Sequence, residues 1–81
     1  MRVTVLLFAR LRDIIGASEL QRDLPDGATA RTLWETLAGQ HPELSGYAST
    51  VSTAVNEEYS NIDAALQDGD DVAFLPPVSG G

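Results

Sequence analysis

"TARTLWETLAGQHP", Thr29 to Pro42, decides how the rest of the chain must fold. Ala30, Leu33, Trp34, Leu37 and Ala38 fall at i, i+3, i+4, i+7 and i+8, which makes one continuous apolar stripe along a helix. Thr29 precedes the stripe as an N-cap, and Gly39 with Pro42 supplies the stop. The stripe must be covered, and nothing else in the chain except a sheet is large enough to cover Trp34.

The strands for that sheet lie on either side. Arg2 to Phe8, "RVTVLLF", is β-branched-rich and apolar on both faces, the pattern of a central strand. In "ARLRDIIG" Leu11, Ile14 and Ile15 have helical spacing and Gly16 sits where a short helix would end. Ser18 to Leu24 alternates up to "PDG" and reads as a second, more exposed strand. Beyond the main helix, Glu43 to Thr50 reads as loop. Val51, Thr53 and Val55 then share one strand face, "NEE" makes a turn, and a short strand follows at Tyr59. After a turn at Asp68-Gly69, a last strand runs from Asp71 to Leu75. In it Val72 and Phe74 share one face, and Asp71, Ala73 and Leu75 share the other. The order β, β, α, β, β with one main helix predicts an α+β fold, a mixed sheet curled around that helix.

Composition narrows the function. With 81 residues, 43% of them apolar, the chain is long enough for one small core. The absence of cysteine excludes disulfides, thiolate metal sites and a cysteine nucleophile. Net charge is −7, with five basic residues, all arginine, so neither a phosphate backbone nor an anionic membrane is an expected partner. "MRVTVLLFAR" is too short in its apolar part for a signal peptide and no run is long enough to span a bilayer, which predicts a cytoplasmic protein. Without lysine, only the N-terminal amine offers an activated acyl group a target within the chain.

Catalytic and metal chemistry find little footing. His41 has no second histidine or cysteine for a metal site and reads as a surface residue. "DGDDV" lacks the run of about a dozen residues, closed by a glutamate, that a calcium loop requires, and reads as a turn with charged strand-edge residues. Ser79 has neither a strand–turn–helix setting nor a base, and no helix follows Gly80 and Gly81 to hold a phosphate. Arg10 and Arg12 read as solvent-facing, with a partner's acid as the functional alternative.

The tail is different. Pro76-Pro77 removes two N–H donors and favours extended geometry, so the last strand ends there and the chain leaves the domain. At ~3.3 Å per residue, Pro76, Pro77, Val78, Ser79, Gly80 and Gly81 reach about 20 Å. The two glycines let such an end enter a narrow channel. The pattern implies a domain over 1–75 and an extended tail over 76–81 that delivers a carboxylate to another protein's site. A carboxylate must be activated before it reacts, for instance as an acyl-adenylate. A sulfur nucleophile could displace the adenylate and leave a thiocarboxylate.

"LLFARLRDIIG", "LPDGATARTLWETLAGQHPEL", "AVNEE" and "LQDGDDVAFLPPVSGG", in this order, resemble the small subunits of molybdopterin synthase, a family of sulfur carriers with the ubiquitin-like β-grasp fold. The resemblance implies that Gly81 is adenylated by an activating enzyme that consumes ATP, then becomes a thiocarboxylate. The tail of Pro76, Pro77, Val78, Ser79 and Gly80 would insert into the large synthase subunit. There the sulfur would pass to cyclic pyranopterin monophosphate, building the dithiolene of molybdopterin. It further implies a 2+2 heterotetramer, a separate sulfur donor system, no cofactor bound by this chain, and catalytic residues on the large subunit. The partner face would fall on Phe8, Tyr59 and Leu75, with Arg12 as an additional candidate. Two other roles share these features: a ubiquitin-like modifier joined through Gly81 to target lysines, and a carrier for thiazole or cysteine synthesis.

Overall fold

The computed structural model describes residues 1–77. Its elements in chain order are β1 (Arg2–Leu7), α1 (Ala9–Ile15), β2 (Glu19–Asp23), α2 (Ala30–Gln40), a 3₁₀ segment (Pro42–Tyr47), β3 (Ser52–Val55), β4 (Glu58–Ser60) and β5 (Asp71–Leu75). Three strands follow the main helix, at the three places the sequence marks for them, although the β, β, α, β, β order counts only two. The sheet order is β2-β1-β5-β3-β4, with β1 parallel to β5 and the other pairs antiparallel. This mixed sheet carried on one main helix is the β-grasp arrangement.

Helix α2 forms as its pattern requires. The Thr29 side chain accepts from the Thr32 amide, and the Thr32 side chain accepts from the Thr29 amide, a reciprocal cap that satisfies two otherwise orphaned donors. The amides of Ala30 and Arg31 donate to the carbonyls of Ala64 and Ile62, so the segment before β5 closes the rest of this helix end. Ala30, Leu33, Trp34 and Leu37 are buried. Trp34 meets Phe74 of β5 edge to face, with ring centroids 5.1 Å apart at 62°.

The helix runs through Gly39 to Gln40, so Gly39 is not its stop. A glycine inside a helix costs about 1 kcal/mol but does not end it. Pro42 does, because the residue before a proline is excluded from helical geometry, and His41 adopts φ −133°, ψ 83°. His41 is half-buried rather than a free surface residue, and its amide donates to the Leu37 carbonyl. The predicted loop after it contains the 3₁₀ segment, which Pro42 starts and a fully buried Leu44 ties to the core.

Strand β1 is flanked by β2 and β5, as its two-sided apolar pattern predicts, and Val3, Val5 and Leu7 point into the core. It ends at Leu7 rather than Phe8, because Ala9 adopts φ +51° and turns the chain into α1. α1 closes on Gly16 at φ +85°, a left-handed cap that glycine adopts without a Cβ penalty. In β5, Val72 and Phe74 are fully buried while Ala73 and Leu75 lie half-buried on the opposite face, matching the predicted alternation. β5 ends at Leu75, and Pro76 and Pro77 follow outside any element. The expectations for Val78, Ser79, Gly80 and Gly81 lie outside the described residues.

Candidate functional site

The face of the sheet turned away from α2 is built by register. Leu6 of β1 stands beside Ala73 of β5, Ala73 beside Ala54 of β3, and Ala54 beside Tyr59 of β4. Residues directly paired across strands share a face, so these four form one row. Two alanines in its middle are too short to fill the space between Leu6 and Tyr59. A shallow cavity of about 300 Å³ results, and Phe8 and Leu75 close its end beside the start of the tail. Phe8 reaches it because β1 and β5 are parallel, so both strands finish at the same end of the sheet, and Phe8 keeps extended geometry at φ −126°, ψ 151°.

Phe8 and Tyr59 are 45% and 80% exposed, the two large apolar side chains left in solvent among the described residues. Scattered exposed apolar residues are ordinary. Here both flank one cavity, together with half-buried Leu75, and clustering of that kind makes this face a candidate interaction surface. The structure thus brings together Phe8, Tyr59 and Leu75, three residues named from sequence. Arg12 does not line the cavity; it is exposed in the last turn of α1 and forms no ion pair among the described residues. Leu6, Ala54, Glu57 and Asp71 belong to the site and were not anticipated, because cross-strand register is not written in any one segment. A second hollow of about 330 Å³ lies beyond Tyr59 and is lined mainly by polar residues such as Ser49, Ser52 and Asn61. It contains neither Phe8 nor Leu75.

The electrostatics of the groove are one-sided. Glu57 and Asp71 line its edge, and no arginine does. Three of the five arginines are paired elsewhere: Arg31 with Asp63 at 2.6 Å, Arg2 with Asp23 at 2.9 Å and Arg10 with Glu43 at 3.6 Å. The hydrogen bonds from Arg31 and Arg2 hold the carboxyls of Asp63 and Asp23 below their ordinary range. Each such aspartate stabilises the fold above the ordinary carboxylate pKa and loses that contribution as pH falls through its lowered value. Both pairs are solvent-exposed, so the contribution is small.

The hairpin at the groove's edge carries strain. Between β3 and β4 the turn consists of Asn56 and Glu57, at φ +52° and +71°. Two positive φ values are what a tight two-residue hairpin needs to match strand twist, and Asn-Gly is its favoured sequence. Asn56 suits its place: its side chain donates to Asp70 at 2.9 Å and accepts from the Asp71 amide at 2.9 Å. Glu57 has no such bonds among the described residues, and left-handed geometry costs a residue with a Cβ about 1–2 kcal/mol.

Among the described residues no group of three or more His, Asp or Glu could hold a metal ion, and no helix is long and apolar enough to cross a membrane. The groove, lined by Leu6, Phe8, Ala54, Tyr59, Ala73 and Leu75, is mainly apolar with two carboxylates at its edge.

Comparison with known proteins bears on the role of this surface. The family model described as the ThiS family matches residues 5–81. The molybdopterin synthase sulfur carrier subunit of Chlamydomonas reinhardtii is 40% identical over 83 residues, covering 100% of this chain and 100% of that protein. The protein of the same name from Arabidopsis thaliana is 38% identical over 81 residues, covering 100% of this chain and 84% of the relative. Among solved structures, SAMP1 from Haloferax volcanii superposes with a TM-score of 0.86 at 29% identity, covering 100% of both chains. A chain from the complex of subunits 1 and 2 of the molybdopterin-converting factor of Helicobacter pylori gives a TM-score of 0.68 at 26% identity, again covering 100% of both.

Proposed function

The chain belongs to the ThiS family, and from that premise we propose that it is the sulfur carrier subunit of molybdopterin synthase. The Gly81 carboxylate is adenylated at the expense of ATP by a separate activating enzyme, and a sulfur donor displaces the adenylate to leave a thiocarboxylate. The large synthase subunit seats on the groove formed by Phe8, Tyr59 and Leu75. The tail, Pro76 to Gly81, enters its active site and gives the sulfur to cyclic pyranopterin monophosphate. Catalytic residues belong to the large subunit, two copies of each subunit make the assembly, and the chain works in the cytoplasm without a bound cofactor.

The carrying observation is geometric. Leu75, the residue from which Pro76 departs, closes one end of the groove, so a partner seated there lies beside the start of the tail. The pairing named in the Helicobacter pylori complex supports a large-subunit partner. Glu57 and Asp71 set a charge on the rim that disfavours acidic partners.

Intact-mass analysis of the protein isolated from cells making the cofactor tests this reading. The expected result is a species heavier by the replacement of one oxygen with sulfur, localised to Gly81. Absence of that species under active synthesis would overturn the carrier role. The likeness to SAMP1, the small archaeal modifier protein 1 of Haloferax volcanii, favours one second reading, a modifier joined through Gly81 to lysines of target proteins. Gly-Gly branches on lysines, without the sulfur-bearing species, would establish it instead.

Leu75→Asp isolates the groove. A charge placed there is buried without a partner in the complex, a cost of several kcal/mol. The dissociation constant for the large subunit is expected to rise by about 100-fold or more, as read by calorimetry. The free protein keeps its fold, because Leu75 points away from the core. Unchanged affinity would remove Leu75 from the interface.

A further inference from the structure

We infer that Glu57 is a specificity residue of the groove, and that it pairs with an arginine or lysine on the surface of the large subunit that covers Tyr59. The inference rests on the proposed function, and deepens it by stating what chemistry the partner must bring.

Three independent observations converge on this residue. The first is backbone strain: at φ +71° Glu57 occupies the hairpin position that glycine takes without penalty. The neighbouring Asn56 shows the contrast, since its side chain is used up in locking the turn onto Asp70 and Asp71. The second is position: Glu57 lines the same cavity as Phe8, Tyr59 and Leu75. The third is uncompensated charge. The Glu57 carboxylate accepts no hydrogen bond and makes no ion pair among the described residues, and Asp71 adds a second carboxylate to the same edge. Strain held at a binding surface, by a residue whose charge nothing in the fold uses, implies that the charge serves a contact outside the fold.

The ligand class follows from the geometry. A partner that fills the apolar floor over Leu6, Ala73 and Ala54 must place its own rim beside two carboxylates. A cationic side chain there gains a charge-assisted hydrogen bond, whereas an acidic one is repelled. Rim charges act chiefly on association rate and on salt dependence, which supplies the readout.

The test uses the full chain and its cognate large subunit, with affinity and association rate measured at low and at high salt. Glu57→Gln keeps side-chain size and removes the charge. It is expected to weaken binding about 2- to 5-fold at low salt, with the difference vanishing at high salt. Glu57→Gly should weaken binding to the same extent while raising the melting temperature of the free chain by about 4–8 °C, because the turn is relieved. Wild-type affinity of Glu57→Gln at low salt, or a loss equal at both salts, would overturn the inference. A Glu57→Gly chain that melts no higher than wild type would remove the strain on which it stands. Tyr59→Ala and Leu75→Asp separate the two levels. If they weaken binding and Glu57→Gln does not, only this inference fails; if they too bind as wild type, the docking reading fails with it.

Discussion

Deleting Gly81 is expected to abolish sulfur transfer completely while leaving the fold intact. Every residue of the hydrophobic core among the described residues falls between Val3 and Phe74. The strand that anchors the tail ends at Leu75, and its ladder partners lie on β1 and β3. A change remote from the core alters stability by no more than about 0.5 kcal/mol, or roughly 2–4 °C in melting temperature for a domain of this size. Activity falls to nothing because the atom that carries sulfur is no longer in reach. A tail one residue short presents the carboxylate of Gly80 about 3.3–3.6 Å away from the place the large subunit holds for it. Such a displacement is large beside the sub-ångström tolerance of a reacting centre. The check is an in vitro assay of dithiolene formation with the large subunit, run beside thermal unfolding of the same preparation. Retained transfer would locate the sulfur elsewhere, and a large loss of stability would place the tail inside the core.

Phe74→Ala is expected to produce the opposite outcome one residue away from the groove. Phe74 is fully buried and packs edge to face on Trp34 at 5.1 Å, with Leu7 beside it on β1. Truncating a buried phenylalanine costs about 3–5 kcal/mol, through lost transfer energy and the cavity left behind. A chain of 81 residues holds roughly 4–12 kcal/mol in all, so the variant loses a large fraction of its stability or unfolds. Urea unfolding reads this as a fall in midpoint with the slope unchanged. Leu75→Ala, on the other face, should cost about 1 kcal/mol or less. Equal losses at the two positions would overturn the assignment of faces in β5, and with it the placement of Leu75 at the partner's surface.

Much of this was legible in the sequence because its causes are local. The α2 stripe is a 3.6-residue period, the Thr29 cap is a contact between neighbours, and the division of Phe74 from Leu75 is strand alternation. Where local reasoning went astray, a competing local rule had won. Of Gly39 and Pro42, the pair that signals the stop, only Pro42 ends the helix, because a glycine weakens a helix whereas a proline opposes its continuation. Glu43 to Thr50 reads as loop, yet Leu44 reaches the core and a 3₁₀ segment forms around it. Phe8 continues the apolar run of β1 in the sequence, and the left-handed Ala9 ends the strand before it.

The groove was legible only in part. Phe8, Tyr59 and Leu75 came from a family resemblance, and only for Leu75 did strand periodicity point the same way. Leu6, Ala54 and Ala73 became site residues when pairing aligned them. As part of "NEE" Glu57 signals only a turn, since its significance lies in a dihedral angle and a cavity edge.

By itself the sequence determined the main helix and the strands, the acidic charge, the absence of thiol and lysine, and the two prolines that follow the last strand. Each of these depends on residue chemistry or on contacts between near neighbours, which a linear string records directly. Only the tertiary structure decided which strands became neighbours and in what register. The parallel pairing of β1 with β5 joins residues at opposite ends of the chain, and it is set by the shared burial of Val5, Leu7, Val72 and Phe74 in one core with Trp34. That pairing, more than any motif, brings Phe8 beside Leu75 and gives the tail a surface to start from.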